Sequence, residues 1–243
     1  MKLITLNIWG GHVYHPLLEF IKLNKSVDIF CFQEVYSNAS YKTSTDERSV
    51  SLNIFSELQD ILTEHNGFFV PAIENIYGIC VFIKKDIEII EQGSTLIHDN
   101  PEYTGIGPTH PRVLQWLKCK INDQLYTIIN IHGLWNGKGK TDTSERIIQS
   151  QRIRAFIDSV TNTKIVCGDF NLRPDTESLA IIEKGLINLI KQYNITSTRT
   201  SFYNKEEKFA DYILTSPEIK INDFKVLKDE VSDHSPLLLD FGC

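Results

Sequence analysis

Positive charge is scarce in this 243-residue chain. Its 25 lysines and arginines stand against 31 aspartates and glutamates, a net charge of −6. A field of that sign does not favour non-specific binding of a polyanion, which excludes a protein that grips nucleic acid through a general basic surface. Positive charge must come from a local patch or a metal ion. Cysteine is scarce too, and Cys31, Cys80, Cys119, Cys167 and Cys243 show no zinc-ligand spacing. Four of the five sit in apolar, strand-like runs, which argues for free core thiols in a reducing compartment. No apolar run approaches the ~20 residues of a membrane helix. The opening MKLITLNIWGG holds too short an apolar run for a secretory signal. Repeats, low-complexity tracts and linkers are absent. The expectation is one domain over residues 1–243: soluble, cytoplasmic, monomeric and without membrane insertion.

What the chain does have is strands. Short β-branched or aromatic runs bounded by Gly, Asn, Asp or Pro recur from end to end. They are KLITLNIW (2–9), DIFCFQEV (28–35), FFVPAI (68–73), GICVFIKK (78–85), IEIIEQGSTLI (87–97) and VLQWLKCKI (113–121). LYTIINIHGL (125–134), KIVCGDFN (164–171), ADYILTS (210–216), FKVL (224–227) and PLLLDF (236–241) follow. Helical periodicity marks 16–25, 51–67 with Gly67 as C-cap, 143–160 with Ser144 as N-cap, and 176–185. In the third of these the repeated apolar residues are Ile147, Ile148, Ile153, Phe156 and Ile157. Segments 36–51 and 97–111 read as long loops. The class is α+β, with helices covering the outer faces of sheets.

Apolar packing would not choose the residues at several strand ends. Strand one ends at Asn7, strand two carries Glu34, and a middle strand ends at His132. KIVCGDFN ends in Asp169 and Asn171, which share a face if the strand continues, with Phe170 opposite and in the core. Gly168 leaves room beside them. Asp211 opens its strand, and Asp233 and His234 precede the last. Each alone reads as a turn former or a solvated edge. Together they offer oxygen donors and imidazoles to one crevice. Oxygen donors without a Cys–His cluster suit Mg²⁺ or Mn²⁺, with water and a substrate phosphate completing the shell.

The ordered series LNIWGG, CFQEV, NIHGLW, GDFN, ADYI and SDH resembles the endonuclease/exonuclease/phosphatase superfamily, the DNase I-like fold, over about residues 2–241. The resemblance implies a four-layer α/β/β/α sandwich of two mixed β-sheets with the site at one edge. It implies that Glu34 is the principal metal ligand, with Asn7 beside it and Asp233 a further metal-side ligand. Asp169 would align or deprotonate the attacking water, next to Asn171. His234 would contact the scissile phosphate, with Asp211 orienting its ring. His132 holds a position often occupied by His. Trp9 stands where some nucleases carry a second acidic ligand, which favours one metal over two.

The superfamily cleaves DNA, RNA, sphingomyelin, inositol phosphates and nucleotide-type esters, and fold does not choose among them. The segment HGLWNGKGKTDTSERIIQSQRI (132–153) is similar to a cluster that includes tyrosyl-DNA phosphodiesterases and deadenylases. Its Lys138 and Lys140 read either as backbone contacts or as solvated lysines, and Trp135 either as a stacking platform or as packing. Arg112 reads as a phosphate holder or, more simply, as half of a structural ion pair. The leading expectation is a metal-dependent phosphodiesterase acting on nucleic acid or its ends. The alternatives are an enzyme for a small or lipid phosphoester and a catalytically silent binding module. The last is disfavoured because every site residue is present.

Overall fold

The computed structural model describes residues 1–43 and 50–242. Residues 44–49 of the expected 36–51 loop, and Cys243, lie outside them. The elements are β1 (Lys2–Asn7), α1 (Tyr14–Leu23), β2 (Ile29–Tyr36), α2 (Ile54–Ile61), β3 (His65–Ile73), β4 (Tyr77–Lys84) and β5 (Glu88–His98). Then come β6 (Arg112–Ile121), β7 (Gln124–His132), α3 (Ser144–Ser159), β8 (Thr163–Asp169), α4 (Glu177–Glu183) and β9 (Ile187–Asn188). The chain ends with α5 (Leu189–Gln192), β10 (Asp211–Thr215), β11 (Lys220–Val226) and β12 (Leu237–Gly242).

Two mixed six-stranded sheets result, ordered β11-β12-β1-β2-β4-β3 and β5-β6-β7-β8-β10-β9. Each carries one parallel pair at its centre, β1 with β2 and β7 with β8. Parallel pairs need a crossover, and α1 and α3 supply it. Strands buried on both faces read as continuous apolar runs. In β1 and β2, Leu3, Ile29 and Cys31 fill the space between the sheets. Ile4, Leu6, Phe30 and Phe32 face outward against Leu17, Phe20, Ile21 and Leu58 of α1 and α2. On the other side Ile153, Ile157, Leu179 and Ile182 of α3 and α4 cover the second sheet. These are the four layers of an α/β/β/α sandwich.

Three local expectations are corrected. The second helix ends at Ile61, and Gly67 lies in β3 opposite Phe82 rather than capping a helix. Thr143, not Ser144, caps α3, its hydroxyl accepting from the Arg146 N–H. The buried face of α3 begins with Arg146, Gln149 and Ser150, while Ile148 is exposed. The apolar periodicity failed there because that turn holds a loop instead of packing on the sheet.

A polar clip joins the sheets through the core. Gln33 Nε2 donates to Asn130 Oδ1 across the gap at 2.7 Å, and Asn130 Nδ2 donates to the Phe32 and Cys80 carbonyls at 3.2 and 3.1 Å. Both side chains are fully buried. Such a network fixes how the sheets slide, because a shifted register leaves buried amides unpaired. Cys31, Cys80 and Cys167 are free thiols, and they and Cys119 are buried. Among the described residues no helix is long and apolar enough to cross a membrane.

Candidate active site

The site lies where β1, β2, β7 and β8 end side by side. Alternation decides which side chains face it. Thr5 and Asn130 bond to Gln33 between the sheets, so Asn7 and His132, two residues further along, point to the same seam. Cys167 packs there, and Asp169 follows it. Register then pairs His132 with Asp169. Two glycines let the backbones close. A Cβ on Gly168 would meet Ile131 O at 2.1 Å, and one on Gly133 would meet Phe170 O at 2.1 Å. Gly168 also holds φ +128°, which favours glycine. The expectation that Gly168 leaves room beside the site is corrected: it makes room for β7.

Glu34 arrives differently. The strand does not end there but runs on to Tyr36. The pairing of β2 with β4 shifts between Gln33 and Val35, so Glu34 is the extra residue of a β-bulge, at φ +59°. Phe32 and Val35 both face the outer helices. The bulge takes Glu34 out of that alternation and turns it to the seam. Asn171 is also off the strand: β8 stops at Asp169, Phe170 inserts into the core, and Asn171 sits at φ +54°. Its N–H donates back to Asp169 Oδ1 at 2.8 Å. Asp169 and Asn171 converge through a tight turn rather than along an extended strand.

Glu34, His132 and Asp169 each offer a ligand atom, and these lie within 4.8 Å of one another. The Asn7 amide joins the two carboxylates, its Nδ2 donating to Glu34 Oε1 at 2.9 Å and to Asp169 Oδ2 at 3.0 Å. The Asn7 oxygen, expected beside a metal, accepts from the Trp9 N–H at 2.9 Å. In this arrangement Asn7 therefore spaces the carboxylates. Burial, with Asp233 and Asp169 nearby, pushes the Glu34 carboxyl up to about 7 against the pull of the Asn7 hydrogen bond. A carboxylate so burdened calls for a cation. Three groups with carboxylate oxygen and imidazole donors fit a hard divalent ion.

Opposite them, His234 Nδ1 donates to Asp211 Oδ1 at 2.7 Å, which leaves Nε2 facing Asp169 Oδ2 at 3.6 Å. Thr198 Oγ1 donates to Asp211 Oδ2 at 2.8 Å. Burial and then Arg199 push the imidazole of His234 down to about 3, and burial pushes Asp211 up to about 6. Burial and then Arg112 hold His132 well below the usual histidine range. Both shifts favour the neutral imidazole. Asp233 pairs with Arg199 Nη1 at 3.4 Å.

A cavity of about 270 Å³ opens over this floor. The expected residues Trp135 and Arg112 line it, as does Lys140; Lys138 does not, and is exposed. Lys140 is buried, donates to Asn171 Oδ1 at 2.6 Å, and is pushed down to about 8 by burial. The loop that carries it is held from α3. Arg146 donates to the carbonyls of Leu134, Gly139 and Thr141, and Gln149 Oε1 accepts from the Leu134 N–H. Arg112 is 2% exposed and donates from Nη2 to Pro108 O at 2.9 Å, but its Nε and Nη1 have no partner. The structural ion pair expected for Arg112 is thus corrected: among the described residues no carboxylate pairs with it. Sequence reasoning missed His110, Arg199, Tyr203 and Lys205, which also line the cavity. Arg199 reaches the site through a single antiparallel bridge to His234, which leaves no periodic signal.

The fold is shared with solved structures. A mannosyl-6-phosphatase from Bacteroides thetaiotaomicron matches with TM-score 0.76 and 17% identity over 100% of both chains. D. rerio TDP2 complexed with single-strand DNA product matches with TM-score 0.74 and 15% identity, over 100% of this chain and 99% of that one. The human nocturnin catalytic domain with bound sulfate matches with TM-score 0.68 and 19% identity, over 100% of this chain and 93% of that one. These likenesses carry the fold alone. No curated protein sequence matches significantly. The family model described as Endonuclease/Exonuclease/phosphatase family matches residues 4–234, a span that holds every seam residue described above. With its two-sheet sandwich and its strand ends gathered at one edge, the chain belongs to the endonuclease/exonuclease/phosphatase family, whose members are hydrolases acting on phosphoesters.

Proposed function

We propose that this protein is a divalent-cation-dependent phosphoester hydrolase whose substrate is nucleic acid or a nucleic-acid end. One observation carries the reading. Two carboxylates with no lysine or arginine partner among the described residues, Glu34 and Asp169, lie in one cavity with two buried cations, Arg112 and Lys140, that likewise lack carboxylate partners there. Buried charges are paired in stable sites. A metal ion and a substrate phosphate together satisfy both halves.

Glu34, Asp169 and His132 would hold Mg²⁺, or Mn²⁺ in its place, with Asp233 on the metal side. When bound, the ion neutralises charge on the phosphate oxygens. Asp169 is 2% exposed and fixed by donors on both oxygens, so it is suited to orient a water and accept its proton. His234, with Nδ1 held by Asp211, presents Nε2 to the phosphate and donates there once it takes up a proton. Asn171 positions the Lys140 ammonium, and Arg112 offers its two unpartnered donors to a phosphate oxygen. Trp135 stands at the rim, where a base or other planar group would lie. The free thiols support a reducing, cytoplasmic setting.

The likeness to the structure holding a single-strand DNA product supports the nucleic-acid reading. The second reading is a small phosphoester. It is favoured by the size of the cavity, about 270 Å³, which is small beside ordinary ligand pockets. Assays on single-stranded, duplex and abasic DNA, RNA, a sphingomyelin analogue and a small phosphomonoester, with Mg²⁺ and with chelator, test the proposal. Chelator-sensitive cleavage of nucleic acid is the expected result. Cleavage of the monoester alone selects the second reading, and inactivity on all substrates in Mg²⁺ and Mn²⁺ overturns the hydrolase.

A further inference from the structure

One phosphate does not use up the positive charge in this cavity. Among the described residues four cations line it, Arg112, Lys140, Arg199 and Lys205, against the three carboxylates of Glu34, Asp169 and Asp233. A divalent ion raises the surplus from one charge to three. A diester phosphate brings one negative charge, and a monoester at most two.

The cations are also divided between two sides. Arg112 bears electrostatically on Glu34, His132 and His110. Arg199 bears on His234, Asp211 and Lys140. Arg112 thus acts on Glu34 and Asp169, and Arg199 on Asp233 and Asp211. On the Arg199 side the cations are seated on aromatic rings. The Arg199 guanidinium lies 3.9 Å from the Tyr203 ring centroid, and Lys205 Nζ lies 5.1 Å from that of Trp135. The Arg199 side chain is 5% exposed, and its Nε is buried without a partner. Among the described residues its one ion pair is with Asp233, on the metal side of the site, and it also bears on Asp211. That single contact through Nη1 leaves the rest of the guanidinium fork, with its unpartnered Nε, available to an anion.

We propose that Arg199 and Lys205, seated on Tyr203 and Trp135, form a second anion subsite, which takes a phosphate other than the scissile one. The substrate class is then a phosphoester carrying at least two phosphates close together. The inference rests on the hydrolase reading of the same cavity and narrows it. The second phosphate belongs either to the next linkage of a nucleic-acid end or to a compact bisphosphate.

Calorimetric titration of the full chain in chelator, with adenosine 5′-monophosphate, adenosine 3′,5′-bisphosphate and the 5′-phosphorylated dinucleotide pApA, tests the subsite without turnover. The bisphosphate should bind at least about ten-fold more tightly than the monophosphate, the gain of one charge-assisted contact. Lys205 is exposed, so Lys205→Met leaves the fold in place; this variant, and Arg199→Lys, should each remove most of that ratio. Tight binding of pApA as well assigns the second phosphate to a chain end; tight binding of the bisphosphate alone assigns it to a small molecule. Equal affinity for all three ligands, or a ratio untouched by both substitutions, overturns the subsite. Metal-dependent turnover is measured in parallel. Turnover without the ratio sinks the subsite and spares the hydrolase. The ratio without turnover in any metal does the reverse.

Discussion

Two strands, β2 and β8, each deliver one carboxylate to the seam, and they do it in opposite ways. Both are central, and both run parallel to the strand before them. On β8 the ordinary alternation of a strand carries Cys167 and then Asp169 inward. On β2 alternation would carry Glu34 outward with Phe32, and only the bulge brings it round. Asp169 is therefore fixed at the end of a regular ladder, 2% exposed and held by donors on both oxygens. Glu34 rides on a distorted segment, with its side chain 27% exposed and its carboxyl raised to about 7. The difference suits a division of labour: a rigid carboxylate can aim a water, and an adjustable one can follow an ion.

The sharpest test removes the β8 carboxylate. Asp169→Asn should lower kcat by about 10³-fold, the scale of general-base catalysis, with a smaller change in Mn²⁺ affinity by calorimetry. An affinity loss larger than the kcat loss would reverse the division. Glu34→Gln should act the other way and weaken Mn²⁺ binding by about 10²-fold or more, since even partners outside the ligand set are worth 10–100-fold. The same substitution should raise the Tm of the metal-free protein at pH 8, because there the parent carries a partly buried charge, crowded by Asp233 and Asp169, that the amide lacks.

The acidity of Glu34 sets a pH dependence. The group is ionised above about 7, so protons compete with the metal below that value. The apparent Mn²⁺ Kd should rise about ten-fold per pH unit on the acid side and level off above 7. In Glu34→Gln that slope should disappear. Smaller effects test what holds the two strands together. Asn130→Leu strands the Gln33 amide and should cost about 2–3 kcal/mol in denaturant unfolding. Tyr212→Phe loses the buried bond from Oη to Leu172 O, 2.8 Å long, and should cost about 1 kcal/mol.

Much of this was legible in the residues. Strands with both faces buried announce themselves as apolar runs, and all eleven expected strands are present, though the two-residue β9 is too short to read. Asn7, His132 and Asp169 were legible because period-two alternation places them. Glu34 was found by motif but misplaced at a strand end, because a bulge is set by pairing with β4 and leaves no mark in the local sequence. Asn171 was misread as extended because a left-handed residue after Phe170 turns the chain back. The charged lining was the least legible part. Arg112 looked like half of an ion pair, Lys138 like a contact, and Arg199 like nothing at all. Each depends on which loops meet over the seam, and that is a property of the assembled sandwich rather than of any one segment.

The Asn7 amide has a consequence that reaches beyond the chemistry. Its two hydrogens grip one oxygen from each sheet, so the spacing of the two carboxylates is also the spacing of the two sheets. The site works as a gauge laid across the joint of the molecule. A methylene added or removed between the sheets, many residues from the cavity, should register first as a kinetic defect and only later as a loss of fold.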